Sequence, residues 1–584
     1  MNEPIPHDLI VHDAPVAGAP SDVLFGSDAV AETLRRLDIP FIALNPGASY
    51  RGLHDSIVNY LGNRTPQMIL CLHDEHAVHI AQGYWKASGR LMASALHSNV
   101  GLMHASMPIF NAWCDRTPVL ILGANGPMDA ARRRPWIEWI HTCADQASLV
   151  RDFTKWDNQP ASVPAAVEAL LRARQIALTA PRGPVYVNLD VALQEDRIPA
   201  MPPMPDFDRF AAPQDVHPSP DLVKQAAALL SNAKRPVMLA GRVSRSLDGW
   251  NARVALAEKL QMESVSHIKL AASFPTDHPL HVGPPGNRLG PEAAEALRDA
   301  DVILSLDWLD LGGTFKQAFG DKPVGAKVIQ VSCDQHNHRG WSMDYHVLPP
   351  VDLLLMCEPD AAVPLLLDAV QPRKSTVPVP KAAAGKVAST SAVTLQGVGD
   401  ALREVLEGVD YCVTRLPLGW HGSYLPFKHP LDYIGVDGGA GVGAGPGITV
   451  GGALAIKDSG RIALGIMGDG DFLMGNTAIW TATHYKIPAL FVICNNRSYF
   501  NDERHQEAIA VKRGRPPENR WIGQRIDDPD IDLAAMGTAQ GALGIGPVKE
   551  FSEMRPAIER GLAHVKAGGV CVIDMRVLPG YDAE

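Results

Sequence analysis

Two apolar runs in the last third of the chain end in polar clusters that could hold an anion and a metal ion together. Ile462–Met467 runs into Gly468-Asp469-Gly470-Asp471, and Ala489–Cys494 runs into Asn495-Asn496. Both runs read as buried strands, and ligands of open α/β sheets gather at the carboxyl ends of strands. Asp469 offers a carboxylate oxygen and Asn496 an amide oxygen. Such hard donors beside a phosphate suit Mg²⁺, which takes a few protein ligands and completes its shell with phosphate oxygens. Gly470 lets the backbone approach an anion, and the start of a following helix, expected from about Gly475 to Tyr485, favours negative charge. Gly-Asp-Gly alone is a common turn, and Asn-Asn alone carries nothing. Their pairing on consecutive strands is what points to a site.

Other groups invite chemistry and mostly fail to carry it. Gly438 to Gly447 is a glycine-rich stretch in which Gly439, Gly441 and Ala444 loosely imitate a dinucleotide loop. That reading loses because Asp469, which would serve as its acid, already belongs to the tighter pattern. His73, His76 and His79 are spaced by three, but over six residues a helix turns ~600° and the end pair diverges. Arg132-Arg133-Arg134 reads as a solvated or subunit-facing patch. The eight cysteines form no C-x-x-C pair and read as reduced thiols, which fits a cytoplasmic compartment.

The elements that must position these residues follow from periodicity. FIALN, MILCL, LMASAL, VLILGA and VYVNLD read as strands in the first third, with amphipathic helices SDAVAETLRRLD and EHAVHIAQGYWKASG between them. PVMLAG, DVILSL and KVIQVS follow in the middle, then RIALGIMGD, ALFVICN and VCVIDM. Two stretches rich in Pro, Ala and Ser, Pro202–Pro220 and about Gln371–Ala392, read as linkers. The fold expected is α/β, with three doubly wound parallel-sheet domains over 22–200, 220–370 and 393–584. The first twenty residues read as a loose arm, without the basic and apolar regions of a signal peptide. A net charge of −11 argues against a nucleic-acid surface, and no apolar run is long enough for a membrane span.

The paired clusters resemble the fingerprint of thiamine-diphosphate-dependent enzymes, in the superfamily of 2-oxo acid decarboxylases and acetohydroxyacid synthases. The resemblance extends over most of the chain and is nearest to the benzoylformate decarboxylases between residues 40 and 190, through NPGAS, His97-Ser98, Asn111-Ala112-Trp113 and KWDNQPAS. It implies a pyrimidine-binding first domain, a middle domain and a diphosphate-binding third domain. It implies Asp469, Asn496 and the Ser498 carbonyl as Mg²⁺ ligands, Val442 as the wedge that bends the cofactor, and the Ala440 carbonyl and Val442 amide as contacts to the pyrimidine edge. It implies His97 as a proton shuttle with Ser98 beside it, and His421 as a weaker candidate.

The resemblance further implies a small 2-oxo acid or related carbonyl substrate, and a homodimer or homotetramer with active sites between subunits. Nucleic acid and membrane are not expected partners, and no flavin is expected in the middle domain. The implied chemistry is addition of the cofactor's reactive carbon to a carbonyl, loss of CO₂ or another acyl partner, and protonation or capture of the remaining fragment. A 2-oxo acid decarboxylase with carboligase capacity leads. An acetolactate-synthase-type carboligase, a diketone lyase or hydrolase, and a non-catalytic cofactor binder are the alternatives.

Three departures matter. Ala48 lengthens the NPGS of the relatives, so the direction of Ser49 is open; Asp307–Thr314 holds no histidine matching the one their middle domain supplies; and Arg497–His505 is more polar and bulkier than their segment. The glutamate that contacts the pyrimidine falls, by spacing from Gly83-Tyr84, on Asp74. Carboxylate reach favours its neighbour Glu75, and helical neighbours point ~100° apart, so only one can do that work.

Overall fold

The computed structural model describes residues 13–16, 22–213, 215–334, 348–373, 393–436 and 438–579. Most of the expected second linker lies outside them. Three parallel sheets form, each from runs that are apolar nearly throughout, as strands covered on both faces must be. In the first, Phe41–Leu44 (β1), Gln67–Leu70 (β2), Ala93–Leu96 (β3), Leu120–Asn125 (β4), Asp157–Asn158 (β5) and Val185–Asp190 (β6) take the order β2-β1-β3-β4-β6-β5. The middle sheet joins Pro236–Ala240 (β7), Glu263–Ser266 (β8), Val302–Leu306 (β9), Lys327–Val331 (β10) and Leu353–Leu355 (β11) in the order β8-β7-β9-β10-β11. The third joins Tyr411–Arg415 (β12), Ile462–Gly468 (β13), Ala489–Cys494 (β14), Leu543–Val548 (β15) and Val570–Met575 (β16) in the order β12-β13-β14-β16-β15.

The helices that frame the site are Asp74–Ser88 (α1), Ser98–His104 (α2), Ser106–Cys114 (α3), Ile137–His141 (α4), Ala444–Ile456 (α5), Asp469–Gly475 (α6), Ala478–His484 (α7) and Phe500–Lys512 (α8). The single helix expected over 475–485 is two. The first begins at Asp469 itself, because Gly468 is extended and caps it, and Asp469 and Asp471 in its first turn suit the dipole. No described helix is long and apolar enough to cross a membrane.

The first and third domains share one core. A single cluster runs from Phe41, Ile80 and Trp113 to Ile448, Phe491 and Val572. Its spine is α1 against α5, whose backbones nearly touch. A Cβ on Gly83 would lie 2.2 Å from the Ile448 carbonyl oxygen, and one on Gly451 2.0 Å from that of Ile80. Polar contacts lock the pair: Tyr485 OH accepts from Leu70 N at 2.9 Å, and Thr481 donates to the Leu70 carbonyl at 2.9 Å. Lys86, buried, bonds Asp115 and the Gly435 carbonyl, each at 2.9 Å. The middle domain keeps two clusters of its own and joins a third-domain cluster through Trp250, Ile268 and Ala272.

The loose arm is corrected at Asp13. Its carboxylate accepts from Tyr485 at 2.8 Å, and its carbonyl accepts from Asn63 at 3.1 Å, so the chain is pinned to both domains there.

Overpacking a tight interface costs about 1–3 kcal/mol, while exposed sites move stability by about 0.5 kcal/mol at most. Gly83→Ala is therefore expected to lower the denaturant midpoint clearly. Gly325→Ala, where the added methyl meets open space, is expected to leave it unchanged.

Candidate active site

Sheet register sets the third-domain half. Gly468 of β13 pairs with Cys494 of β14, so Asp469 and Asn495-Asn496 leave the sheet side by side. Asp469 Oδ1 accepts from Gly470 N at 2.9 Å, and Oδ2 from Ser498 N at 3.1 Å. Asn496 Oδ1 accepts from the same Ser498 N at 3.0 Å, so both side chains close on one turn. Burial pushes the Asp469 carboxyl up to about 6 against the pull of these N–H groups. A cation beside it would restore the charged form. The turn is braced from outside: Ser498 donates to Glu503, which lies 3.6 Å from Arg520 and 3.5 Å from Arg525. Gly470 must be glycine, since a Cβ there would meet the Tyr499 ring at 2.5 Å.

Asp471 shapes the glycine loop. One of its oxygens accepts from Gly443 N at 2.7 Å and Gly445 N at 3.2 Å, and the other from Arg415 Nε at 2.7 Å. Its carboxylate is spent on holding the loop rather than free for a ligand. The other side of the loop lies on α3, where a Cβ at Gly439 would meet Phe110 and one at Gly441 would meet Met107, both at 2.6 Å. Between these supports Ala440 takes a left-handed φ of 58°, rare for a residue with a side chain. Val442 is 36% exposed despite its apolar character. Ala440, Val442, Gly468–Asp471, Asn496 and Ser498 line one cavity of about 180 Å³, together with Ile268, Lys269 and Asn287 of the middle domain. A carboxylate, an amide oxygen and a glycine-rich approach fit a diphosphate carried on a hard divalent cation.

The first domain offers a second face. Strand order reverses about β1, which has β2 on one side and β3 on the other, and ligands bind in that crevice. Ser49 follows β1, Asp74 follows β2 and His97 follows β3. Ser49, whose direction the extra Ala48 left open, is buried and turned onto His97: its Oγ lies 2.9 Å from Nδ1. Ser98 N donates to that same Oγ at 3.1 Å, which leaves the Ser49 hydrogen for the imidazole. The Ser49 backbone N–H also reaches Nδ1, at 3.4 Å, and this favours an accepting Nδ1 with the proton of neutral His97 on Nε2. Gly47 permits the approach, because a Cβ there would lie 2.2 Å from the His97 ring. Burial, then the neighbouring His141, hold His97 below the usual histidine range.

Asp74 and Glu75 part company as expected of helical neighbours. Asp74 lies beside His104, 3.9 Å away, and Gly101, and its buried Oδ1 has no hydrogen-bond partner among the described residues. Burial pushes its carboxyl up. Glu75 is also pushed up, first by burial, and it feels the charge of Asp471 in the third domain. The three histidines diverge: His73 caps α1 by accepting from Glu75 N, His76 bonds Thr477 at 2.7 Å, and His79 bonds Asn111 at 3.1 Å.

Two expected residues are not brought in. His421 is exposed, bonds Ser423 at 2.6 Å and does not line the cavity. The Ser98 hydroxyl is committed to the His141 carbonyl and to Asn99. Arg415 and Lys269 were missed. The end of β12, beside β13, was a signal for Arg415; Lys269 lies outside any motif.

A fold of three parallel sheets, with an acid–amide cradle under a glycine loop, defines a class, and comparison with known proteins gives its name. The chain belongs to the thiamine pyrophosphate enzymes. It matches their N-terminal TPP binding domain over residues 25–149, their central domain over 223–355 and their C-terminal TPP binding domain over 417–575. Among individual proteins it is 27% identical to benzoylformate decarboxylase of Pseudomonas aeruginosa, over 92% of this chain and 95% of that one. It is 26% identical to the acetolactate synthase large subunit of Lactococcus lactis subsp. lactis, over 84% and 83%. The structure of a thiamine diphosphate-dependent 4-hydroxybenzoylformate decarboxylase from Rhodococcus jostii has the same fold, with a TM-score of 0.79 at 20% identity, over 96% of this chain and all of the other.

Hydrogen bonds to a charged group are worth about 1.5–3 kcal/mol. Asp471→Ala is expected to speed amide hydrogen exchange at Gly443 and Gly445 by about tenfold or more, read by mass spectrometry, with the Gly83 region unchanged.

Proposed function

We propose that the chain is a Mg²⁺- and thiamine-diphosphate-dependent enzyme that splits a 2-oxo acid between its first two carbons, releasing CO₂, and that can join the remaining fragment to an aldehyde. The reading rests on the Ser49–His97 pair beside Asp74 at the first-domain crevice. A proton-handling histidine beside a carboxylate with one unpartnered oxygen is what such a reaction asks of the protein. The relatives named benzoylformate decarboxylase and acetolactate synthase support the same class of chemistry.

In this reading Asp469, Asn496 and the Ser498 carbonyl hold Mg²⁺, and Gly468 and Gly470 give the diphosphate its approach. Ala440 and Val442 meet the pyrimidine edge, with Val442 as the wedge. When bound, the cofactor would supply a nucleophilic carbon for the substrate carbonyl and a cationic ring that delocalises the electron pair of the breaking bond. Asp74 bonds the pyrimidine ring in preference to Glu75, because it shares a face with His97 and has a free oxygen. His97 delivers the proton that turns the remaining fragment into an aldehyde. The eight free cysteines fit a reducing, cytoplasmic setting.

A second copy of the chain completes the site. Val100, Met103, Trp136, Trp139 and Ile140 are exposed on or near α2 and α4, beside His97, and Met474 is exposed beyond Val442. Covering such surface is the usual reason for it. Sedimentation at assay concentration is expected to give a dimer or tetramer, and an active monomer would contradict this.

The direct test is CO₂ release and product analysis with benzoylformate and with pyruvate. Aldehyde supports decarboxylation, and acetolactate from pyruvate supports the carboligase alternative instead. Asp469→Ala and Asn496→Ala are each expected to abolish Mg²⁺-dependent cofactor binding in calorimetry, since even indirect ligand partners are worth about 10–100-fold in affinity. Asp74→Asn is expected to slow deuterium exchange at the cofactor's reactive carbon more than Glu75→Gln does. The reverse order would move the role to Glu75.

A further inference from the structure

His97 does not stand alone in its crevice. The ring of His141, on α4, meets it edge to face, with centroids 4.8 Å apart and planes at 78°. The contact is built rather than incidental. Ser98, the residue after His97, donates its hydroxyl to the His141 carbonyl, and Asn99 Nδ2 donates to the Ile140 carbonyl at 3.2 Å. Helices α2 and α4 are thus tied together at the point where the two rings meet. His141 Nδ1 is buried and has no hydrogen-bond partner among the described residues, while the residue as a whole stays half-buried. A buried ring nitrogen without a partner costs free energy unless it has other work.

We propose that His141 is the relay behind His97: it takes a proton from solvent and passes it to His97, which delivers it to the substrate-derived carbon. The inference rests on the decarboxylase reading above and assigns that reading its proton path. Each turnover consumes one proton. The bond to the carboxylate breaks, CO₂ leaves, and the electron pair stays on the former carbonyl carbon. That carbon takes the proton of the His97 imidazolium to form its C–H bond. His97 gives that proton from Nε2 and is left neutral with Nδ1–H, which Ser49 Oγ accepts; His141, charged from solvent, then returns a proton to the vacated Nε2, and the cycle closes with no other reactant.

The surroundings weigh on the charge of His97. His141 on α4 opposes charge on His97, as does burial. On the α1 side stands the Asp74 carboxylate, with His104 3.9 Å from it and His73 beyond. Charge near the His141 ring therefore opposes charge on His97 across the ring contact. The middle-domain stretch Asp307–Thr314 brings no histidine that would share this task.

The test uses two substitutions and two readouts. His141→Phe keeps an aromatic edge against His97 and loses the proton; His141→Gln loses both. In cofactor-free protein with labelled histidines, assigned by the missing signal in His97→Gln, the His97 titration midpoint is expected to rise in both variants. In loaded enzyme kcat for a decarboxylated 2-oxo acid is expected to fall by about 100-fold or more in both, with KM little changed, as for a lost acid–base group. Wild-type kcat in His141→Phe, or an unmoved His97 midpoint, would overturn the proposal and reduce His141 to a packing role. Failure of the wild type to release CO₂ from any 2-oxo acid would count against the function itself, and the titration would still decide whether the two rings share a proton.

Discussion

Two helix backbones in contact hold this site together. α1 carries Asp74 at its start, and α5 begins where the glycine loop ends. Their near-touching approach at Gly83 and Gly451 fuses the first and third domains into one core. A side chain at either glycine would wedge the helices apart, and the loop packed on α3 would then lose one of its walls. The position of every functional group is thus a consequence of a contact that involves none of them.

Charge is arranged with similar economy. The cavity wall carries Asp469 and Asp471, yet Arg415 is already spent on Asp471, leaving Lys269 as the other cation among the lining residues. An anionic ligand entering here meets few free positive groups. On the function proposed above, the acid and amide at the strand ends would act as metal ligands, and the metal would bring the charge that the protein withholds. It also explains why Asp471, two residues from Asp469 in the same turn, has a different task. Its carboxylate points back at the loop amides and freezes the shape of Gly443–Gly445.

Much of this was legible in the sequence, for a physical reason. Parallel strands buried on both faces are unbroken apolar runs, so their carboxyl ends are visible, and Asp469, Asn496, Asp74 and His97 all lie just beyond such ends. What was hidden depends on three-dimensional direction. No spacing rule shows that Ser49 turns onto His97, that His73 caps a helix while His76 and His79 face the other domain, or that Asp13 ties down an apparent arm. Likewise α6 starts six residues before a periodicity reading places it, because Gly468 caps it by backbone conformation alone. His421 shows the opposite failure: a suggestive residue in a suggestive loop that faces solvent.

The middle domain keeps two clusters of its own, joins the third-domain core through Trp250, Ile268 and Ala272, and lines the cavity with Ile268, Lys269 and Asn287. Away from that seam its interior can drift in evolution without disturbing the cradle or the crevice, while those wall residues sample new shapes and charges. The architecture separates an inheritable reaction from an adjustable choice of reactant. One would look for the divergence of appetites among such enzymes along that short wall, long before finding it in the strands beneath the cofactor.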